Sequence, residues 1–260
     1  MLKNIQTEIK LVRLSLASYS RLPVGGNLVF ESDLLAKSIK YFPLVGFLLG
    51  GILAISYWLL SFILPLNIAI ILVMAFELIL TGAMHHDGLA DVCDAFGASR
   101  DKTRILAIMK DSHIGVYGVL GIAVMLLLHY VTLSNFNCAQ IPFIILTGNT
   151  FSRIAAPIFV GTHCYVTPNE TSKSKAMLSK LNWKEISVSV IIGLLPVFLL
   201  LNWQFWFAII IPMLVFLLFM HYCTKRIGGY TGDCLGATQK FTEVLFYLSI
   251  VIIANHYCNI

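Results

Sequence analysis

From Tyr41 to His86 the chain reads YFPLVGFLLGGILAISYWLLSFILPLNIAIILVMAFELILTGAMHH, and Glu77 is the only charged side chain in that stretch. Pro65 divides it into two apolar runs, 41–64 and 66–86, each near the roughly twenty residues a helix needs to cross the hydrocarbon core. Working outward, runs of the same kind lie at 114–134, 141–160, 186–202, 203–222 and 239–257. Together they predict an all-α fold, a polytopic membrane helical bundle of about seven transmembrane helices. Composition points the same way. Hydrophobic residues make up 58% of the chain and charged ones 12%, about half the charged share of a soluble domain. A mean hydropathy of +0.84 exceeds what a buried soluble core accounts for. The expectation is a single integral-membrane domain over 1–260, with 1–40 as a cytoplasmic amphipathic segment and 41–260 as the bundle.

The basic residues orient that bundle. The connections at Pro65, 135–140 and Asn202 are short and uncharged, whereas 87–113, 161–185 and 223–238 are longer and polar. Of the 18 Lys and Arg, all but Arg153 fall in 1–40, in those polar connections, or at Lys240 just beyond the last of them. Seven spans put all of these on one face. Positive-inside reasoning makes that face cytoplasmic, with the N-terminus inside and the C-terminus outside the cell (inner) membrane. The net charge of +5 then reflects topology and attraction to the lipid bilayer's anionic headgroups, and calls for no nucleic-acid partner. Residues 1–20 lack the continuous apolar core of a cleavable signal peptide. Cys93, Cys138, Cys164, Cys223, Cys234 and Cys258 form no CxxC pair and read as packing residues or free thiols, with only Cys138 and Cys258 facing outward.

Leu2, Ile5, Ile9, Val12 and Leu16 recur at alternating spacings of three and four, with Lys3, Glu8, Lys10 and Arg13 elsewhere. That is an amphipathic helix, either lying at the cytoplasmic interface or packed as a cover over the bundle. Arg21-Leu-Pro23 and Gly25-Gly26 end it.

Past His86 the chain sets out acids: Asp87-Gly88-Leu-Ala-Asp91-Val-Cys93-Asp94. The spacing i, i+4, i+7 places the three aspartates within an arc of about 60° on a helix. Like charges on one face repel unless a cation holds them, and oxygen ligands favour a hard divalent metal, Mg²⁺ first and Mn²⁺ second. The alternative is a solvated acidic face, but that would mix in Glu and Lys. Gly88 makes better sense if the backbone approaches a ligand closely. His85 reads as a direct participant, an interfacial anchor or a satisfied core histidine, and His86 has less to recommend it.

Gly97 then breaks the helix, and Ser99 caps a second one over 100–111, in which Asp101 is explained as a first-turn acid. Asp111 closes that helix ahead of Gly115 and Gly118, at the mouth of the next span. The other dense motif is Gly228-Gly229-Tyr230-Thr231-Gly232-Asp233-Cys-Leu-Gly236-Ala. Glycines beside Thr and Asp at the start of a span present backbone N–H groups to phosphate, which makes Gly229, Thr231, Gly232 and Asp233 binding candidates. Lys225 and Arg226 just before them are placed to neutralise phosphate charge. Glu77 and Arg153 lie near the middle of their spans, where charges are costly, and either serve function or pair with each other. Glu243 is a similar case nearer the interface.

At these residues the chain resembles the cobalamin synthase family, the adenosylcobinamide-GDP ribazoletransferases. The likeness runs from Arg21-Leu-Pro23 through Phe42-Pro-Leu-Val-Gly46, His85-His-Asp87-Gly-Leu-Ala-Asp91 and Asp111-Ser to Gly228–Ala237, and ends near Glu243. The chain departs from the family pattern in carrying Lys110 and His113 around Asp111-Ser, where relatives tend to have Arg, and His86 at an often apolar position. The resemblance implies a multi-pass inner-membrane enzyme dependent on Mg²⁺. It would transfer the adenosylcobinamide phosphate group from adenosylcobinamide-GDP to α-ribazole or its 5′-phosphate, releasing GMP. On this reading Asp87, Asp91 and Asp94 hold one or two Mg²⁺ ions, and Asp94 or Asp111 is the general base. Asp233 completes the metal shell or positions the nucleophile, while Thr231 and the glycine amides touch phosphate. The acid pattern is also similar, by analogy, to membrane CDP-alcohol phosphotransferases. A homo-oligomer stays open. The rival class is a secondary transporter, for which Glu77 and Arg153 speak and the acids gathered at one membrane face speak against. A structural scaffold is a third reading.

Overall fold

The structure is a computed structural model and describes residues 2–26, 28, 30, 32–166 and 181–257. Among these residues the chain forms twelve α-helices: α1 (Leu2–Tyr19), α2 (Ser32–Ser38), α3 (Phe42–Leu60), α4 (Leu66–Thr81), α5 (Met84–Ala98), α6 (Lys102–Ile108), α7 (Val116–Ser134), α8 (Ile141–Phe151), α9 (Ala155–Thr162), α10 (Trp183–Leu200), α11 (Ile210–Ile227) and α12 (Gly232–Tyr257). Short 3-10 turns join α2 to α3 and α8 to α9, and a longer one leads into α11. Lys173, Lys175 and Lys180 of the predicted polar connection, and Cys258, lie outside the described residues.

Six helical segments are long and apolar enough to cross a membrane: Asp33–Leu60, Val116–Ser134, Ile141–Thr162, Trp183–Leu200, Trp203–Ile227 and Gly232–His256. The predicted span 66–86 is different. Its helix breaks after Thr81 and turns by 90° into α5. Gly82, at φ 63°, closes α4 in the left-handed region, where a glycine carries no Cβ penalty. Ala83 follows at φ 57°, the only non-glycine with positive φ among the described residues. Helix α4 alone is 16 residues, about 24 Å against a hydrocarbon core of about 30 Å. Only the bent pair α4–α5 therefore has the length of a crossing, as a broken span or a re-entrant segment. The acidic stretch 84–98, predicted to begin a polar connection, runs at a right angle to α4 as α5. Gly97 does not break α5, which continues to Ala98; the ring of Tyr117 occupies the space that a Cβ at Gly97 would need. Nor does Ser99 cap α6. Asp101 does, its carboxylate accepting from the Arg104 N–H at 2.9 Å, while the Ser99 hydroxyl accepts from the Asp101 N–H.

The last span starts seven residues earlier than predicted, at Gly232 rather than 239. This helix, α12, contributes to both apolar cores. One gathers Ala95, Phe159, Phe216, Cys223 and Ala237; the other gathers Leu53, Tyr57, Ile70, Ile145, Phe246 and Tyr247. The outer faces carry exposed Ile55, Leu127, Leu199 and Leu218, the pattern of a bundle that meets lipid.

The earlier start buries Lys240 in the bundle instead of leaving it at the interface. Its Nζ lies 2.9 Å from Glu77 Oε1 and 2.8 Å from Glu243 Oε2. Asn149, Gln239 and Tyr247 also donate to the Glu243 carboxylate, and Arg153 donates to the Asn149 carbonyl and side-chain oxygens at 2.6 and 3.0 Å. Glu77, Arg153, Lys240 and Glu243 are all at most 4% exposed. Glu77 and Arg153 therefore do not bond directly but belong to one network of two acids and two bases. Glu77, His129 and Glu243 also offer ligand atoms within 4.8 Å of one another. The Lys240 ammonium already bridges both carboxylates, where a cation would sit.

Of the two roles that its periodicity left open, helix α1 shows the packed cover. Leu11 and Leu14 are buried, and Glu8 joins α1 to the start of α3 by accepting from Lys40 Nζ and from the Tyr41 hydroxyl at 2.7 Å. Ile5 and Ile9 of the predicted stripe stay exposed, so that stripe is not the docked face.

Candidate active site

The polar connections meet at one end of the bundle. Arg226 donates to the Ser99 carbonyl at 2.9 Å, and residues 164–166 pair with Tyr230 through Val166 N–H to Tyr230 O (2.8 Å) and Tyr230 N–H to Cys164 O (3.0 Å). At this end α5 crosses α12. A Cβ on Gly88 would lie 2.8 Å from the Asp233 carbonyl oxygen and 3.0 Å from its Cα, so the two backbones touch there. Gly236 returns the contact against His85. The close approach expected of Gly88 is made to a neighbouring helix.

That crossing sets Asp233 beside the acids of α5. Of the charged groups acting on Asp91, Asp233 is the strongest, followed by Asp87 and Asp94, and all of them are carboxylates. The contrast with the buried network is the informative point. Glu77 and Glu243 have Lys240 between them, whereas the charges that bear on Asp91 are those of other carboxylates. Asp87 is exposed, Asp91 and Asp233 are half-buried, and Asp94 is buried.

Asp94 differs from its neighbours in how its oxygens are used. They accept from the Gly115 N–H at 2.7 Å and the Gly118 N–H at 2.8 Å, at the start of α7. A carboxylate there satisfies two amides that the helix leaves without internal partners, and it opposes the positive end of the dipole. Asp111 does not join the group. It is exposed in the connection before α7, accepting from the His113 N–H at 3.1 Å, with the His113 ring Nδ1 at 2.6 Å. That ring holds the Asp111 carboxyl below its usual range, and Asp111 in turn raises His113.

The glycine-rich motif divides in the same way. Gly228, at φ 91°, ends α11, and Gly229 is pressed against the Cys164 carbonyl, which gives each glycine a packing reason of its own. Thr231 accepts from the Cys234 N–H at 3.3 Å and donates to Asp233 Oδ2 at 3.3 Å, which fixes the first turn of α12. Gly232 is exposed, with no atom within 4 Å of where its Cβ would stand. Arg226 packs over the Tyr222 ring, 5.6 Å from its centroid, in a cleft of its own.

Gly232 and Asp233 border a cavity of about 510 Å³, together with His85 and Asp87. Its remaining wall is apolar and aromatic: Tyr19, Phe42, Tyr165 and Tyr230, with Leu35, Ala36 and Ile39 from α2 and the turn after it. Burial raises the Tyr230 hydroxyl, with Tyr165 beside it adding to the effect. Burial and the Asp233 charge raise Tyr165 as well. His85 is 3% exposed, and its Nε2 has no hydrogen-bond partner. Sequence reasoning missed the four aromatics. Phe42 and Tyr230 stand inside the two motifs that carry the family resemblance, which was a usable signal; nothing marked Tyr19 or Tyr165.

Comparison with known proteins agrees over nearly the whole length. The family model described as cobalamin-5-phosphate synthase matches residues 11–251. Three similar proteins each bear the name adenosylcobinamide-GDP ribazoletransferase. That of Leptospira interrogans is 40% identical over 247 residues, covering 91% of this chain and 92% of its own. That of Shewanella frigidimarina is 38% identical over 250 residues, with 95% of each chain covered. That of Vibrio parahaemolyticus is 36% identical over 248 residues, covering 95% and 94%. No solved structure gives a significant match.

Proposed function

The chain belongs to the cobalamin-5-phosphate synthase family, and from that premise we propose that it is an adenosylcobinamide-GDP ribazoletransferase. It transfers the adenosylcobinamide phosphate group from adenosylcobinamide-GDP to α-ribazole or α-ribazole 5′-phosphate and releases GMP. The product is adenosylcobalamin or its 5′-phosphate. The observation that carries the reading is the α5–α12 crossing, which sets Asp233 beside the acids of α5, with Asp87 and Asp233 bordering one cavity of about 510 Å³. Three of these carboxylates do not converge within 4.8 Å here, a closeness reached among the described residues only by Glu77, His129 and Glu243.

A donor set made only of carboxylate oxygens suits Mg²⁺. Asp87, Asp91 and Asp233 would hold it, with Asp94 fixing the position of α5 against α7. When bound, the ion supplies charge neutralisation for the diphosphate. The chain's own groups do the rest. The first amides of α12, at Gly232 and Asp233, favour a phosphate oxygen at the helix N-terminus. A ribose hydroxyl of the acceptor attacks the phosphorus nearest the cobinamide, the bond to the GMP oxygen breaks, and GMP leaves with the electron pair. The hydroxyl proton passes to a carboxylate. Both Asp94 oxygens accept from the Gly115 and Gly118 amides, and Asp111 stands in the connection before α7, outside the cavity wall, so we assign this role to Asp87 or Asp233, which border the cavity.

The membrane placement follows the charges. With 17 of 18 basic residues assigned to one side, the N-terminus and the site face the cytoplasm and the C-terminus lies outside the inner membrane. The later finding that Lys240 is buried removes one residue from that tally and leaves its direction unchanged. The transporter alternative loses its motivation, because Glu77 and Arg153 have counter-charges within the bundle. Asp91→Asn, in membranes given both substrates and Mg²⁺, tests the proposal. GMP release should fall at least about a hundredfold, since losing a ligand carboxylate removes several kcal/mol of transition-state stabilisation. Near-normal release would exclude the ligand role.

A further inference from the structure

We infer that the 510 Å³ cavity seats the aromatic base of the acceptor nucleoside, and that the corrinoid donor stays outside it with its diphosphate across Asp87 and Asp233. The inference rests on the transferase reading and adds to it which substrate goes where, and which way round.

Size makes the first division. A pocket of this volume encloses a small organic ligand; a corrin macrocycle with its side chains does not fit. Wall chemistry makes the second. The ring centroids of Tyr19 and Phe42 are 4.6 Å apart, those of Phe42 and His85 5.6 Å, and those of Tyr165 and Tyr230 5.6 Å. Apart from the tyrosine hydroxyls, the polar side chains at the wall are His85, Asp87 and Asp233. Stacking aromatics with few hydrogen-bonding partners suit a flat apolar base. The N–H edge of an enclosed guanine would compete for Asp87 and Asp233, the carboxylates that the ribose and diphosphate need, whereas an apolar base makes no such demand. The guanine of the donor is therefore the poorer occupant.

Two observations fix the orientation. The Nε2 of His85, buried and without a partner in the protein, is the polar atom that a ligand entering this cavity would satisfy. Asp87 and Asp233 border the same space and belong to the carboxylate group around Asp91. A base held in the aromatic part leaves its ribose at those carboxylates, where the reacting hydroxyl is needed. The wall from Tyr19 and α2 also gives the N-terminal segment a task, since it closes one side of the acceptor's seat rather than only covering the bundle.

The test fills the cavity without touching the acids. Ala156, 1% exposed in α9, and Ala36 of α2 both line it. In the purified full chain in lipid nanodiscs, Ala156→Phe and Ala36→Phe should each raise KM for α-ribazole at least tenfold and leave KM for adenosylcobinamide-GDP within twofold. Melting temperature and gel filtration identify any variant that fails to fold. A photoreactive azidobenzimidazole riboside, applied to the wild type, gives a readout independent of both variants: it should label peptides containing Tyr19, Phe42 or Tyr230, and excess α-ribazole should protect them. A rise in the donor KM instead, folded variants with neither KM changed, or labelling confined to other peptides would overturn the assignment. Absence of GMP formation by the wild type, with both substrates and Mg²⁺ present, would sink the transferase reading itself, a separate result.

Discussion

Gly88→Ala puts the α5–α12 crossing to a quantitative test. The added methyl would stand 2.8 Å from the Asp233 carbonyl oxygen, 3.0 Å from its Cα and 3.3 Å from its carbonyl carbon. All three are backbone atoms of a helix, so no side chain can swing aside. Reaching an ordinary contact near 3.5 Å requires the helices to part by about 0.7 Å. Overpacking of this kind costs about 1–3 kcal/mol. The larger effect falls on chemistry, because the same movement shifts Asp233 relative to Asp87 and Asp91. Errors near 1 Å in a reacting geometry cost on the order of a hundredfold, so GMP release in proteoliposomes should drop roughly ten- to a hundredfold while the protein still melts cooperatively. Gly51→Ala is the control. That glycine is also helical, but its nearest neighbour to a new Cβ is Leu146 Cδ1 at 4.0 Å, and the change should be neutral or stabilise by up to about 1 kcal/mol. If Gly88→Ala matches the wild type in both turnover and melting temperature, the two backbones do not touch at Asp233 and the site is not assembled as described.

Lys240→Met leaves Glu77 and Glu243 buried without their shared cation, and should cost about 3–5 kcal/mol. Adding Glu77→Gln should recover much of the lost melting temperature, and a single variant as stable as the wild type would contradict the network. Asp94→Asn keeps one acceptor oxygen but turns an amide N–H toward the other α7 donor. A loss of about 1.5–3 kcal/mol is expected, visible as faster hydrogen exchange at Gly115 and Gly118; unchanged protection there would count against the cap. Burial alone would raise the Glu8 carboxyl, but hydrogen bonds from Lys40 and Tyr41 outweigh it and hold the group below its usual value. A depressed carboxyl stabilises above the unfolded value, near pH ~4, and that stabilisation is lost as pH falls through the folded one. The side chain is 46% exposed, so screening limits the contribution to about 0.5–1 kcal/mol. A fluorophore pair on α1 and α3 should report loosening below about pH 4 that Glu8→Gln abolishes; identical titrations for both proteins would refute it.

Apolar run length made the spans legible, because hydrocarbon thickness fixes how many residues a crossing needs. The aspartates of α5 were legible from their spacing. The right-angle bend was not. Thr81-Gly-Ala-Met continues the apolar pattern, and one glycine in a helix is only a weak stop signal until its φ is known. The helix carrying the aspartates was expected, but not that it starts at a right angle to the span before it. The start of α12 was misread for a related reason. Thr231 and the amides of the glycine-rich motif begin the helix, but the glycines, Thr231 and Asp233 look too polar for a span, so the predicted one began at Gln239. Only the fold reveals that Lys240 has Glu77 to meet, 163 residues away in sequence. Asp111 shows how a local partner competes with a site. Its neighbourhood in sequence suggested a site, yet a carboxylate two residues from a histidine finds a local partner first.

The Glu77–Lys240 pair has a consequence for how the molecule is made. Chains enter the bilayer from the N-terminus, so α4 is delivered with its carboxylate long before the ammonium that neutralises it has been translated. A charged side chain left in lipid is expensive, which gives α4 reason to remain sheltered beside the insertion machinery, or to stay protonated, until the final segment arrives. A chain stopped short of that segment would keep Glu77 and Arg153 in the bundle but lack the ammonium that bonds the Glu77 carboxylate directly.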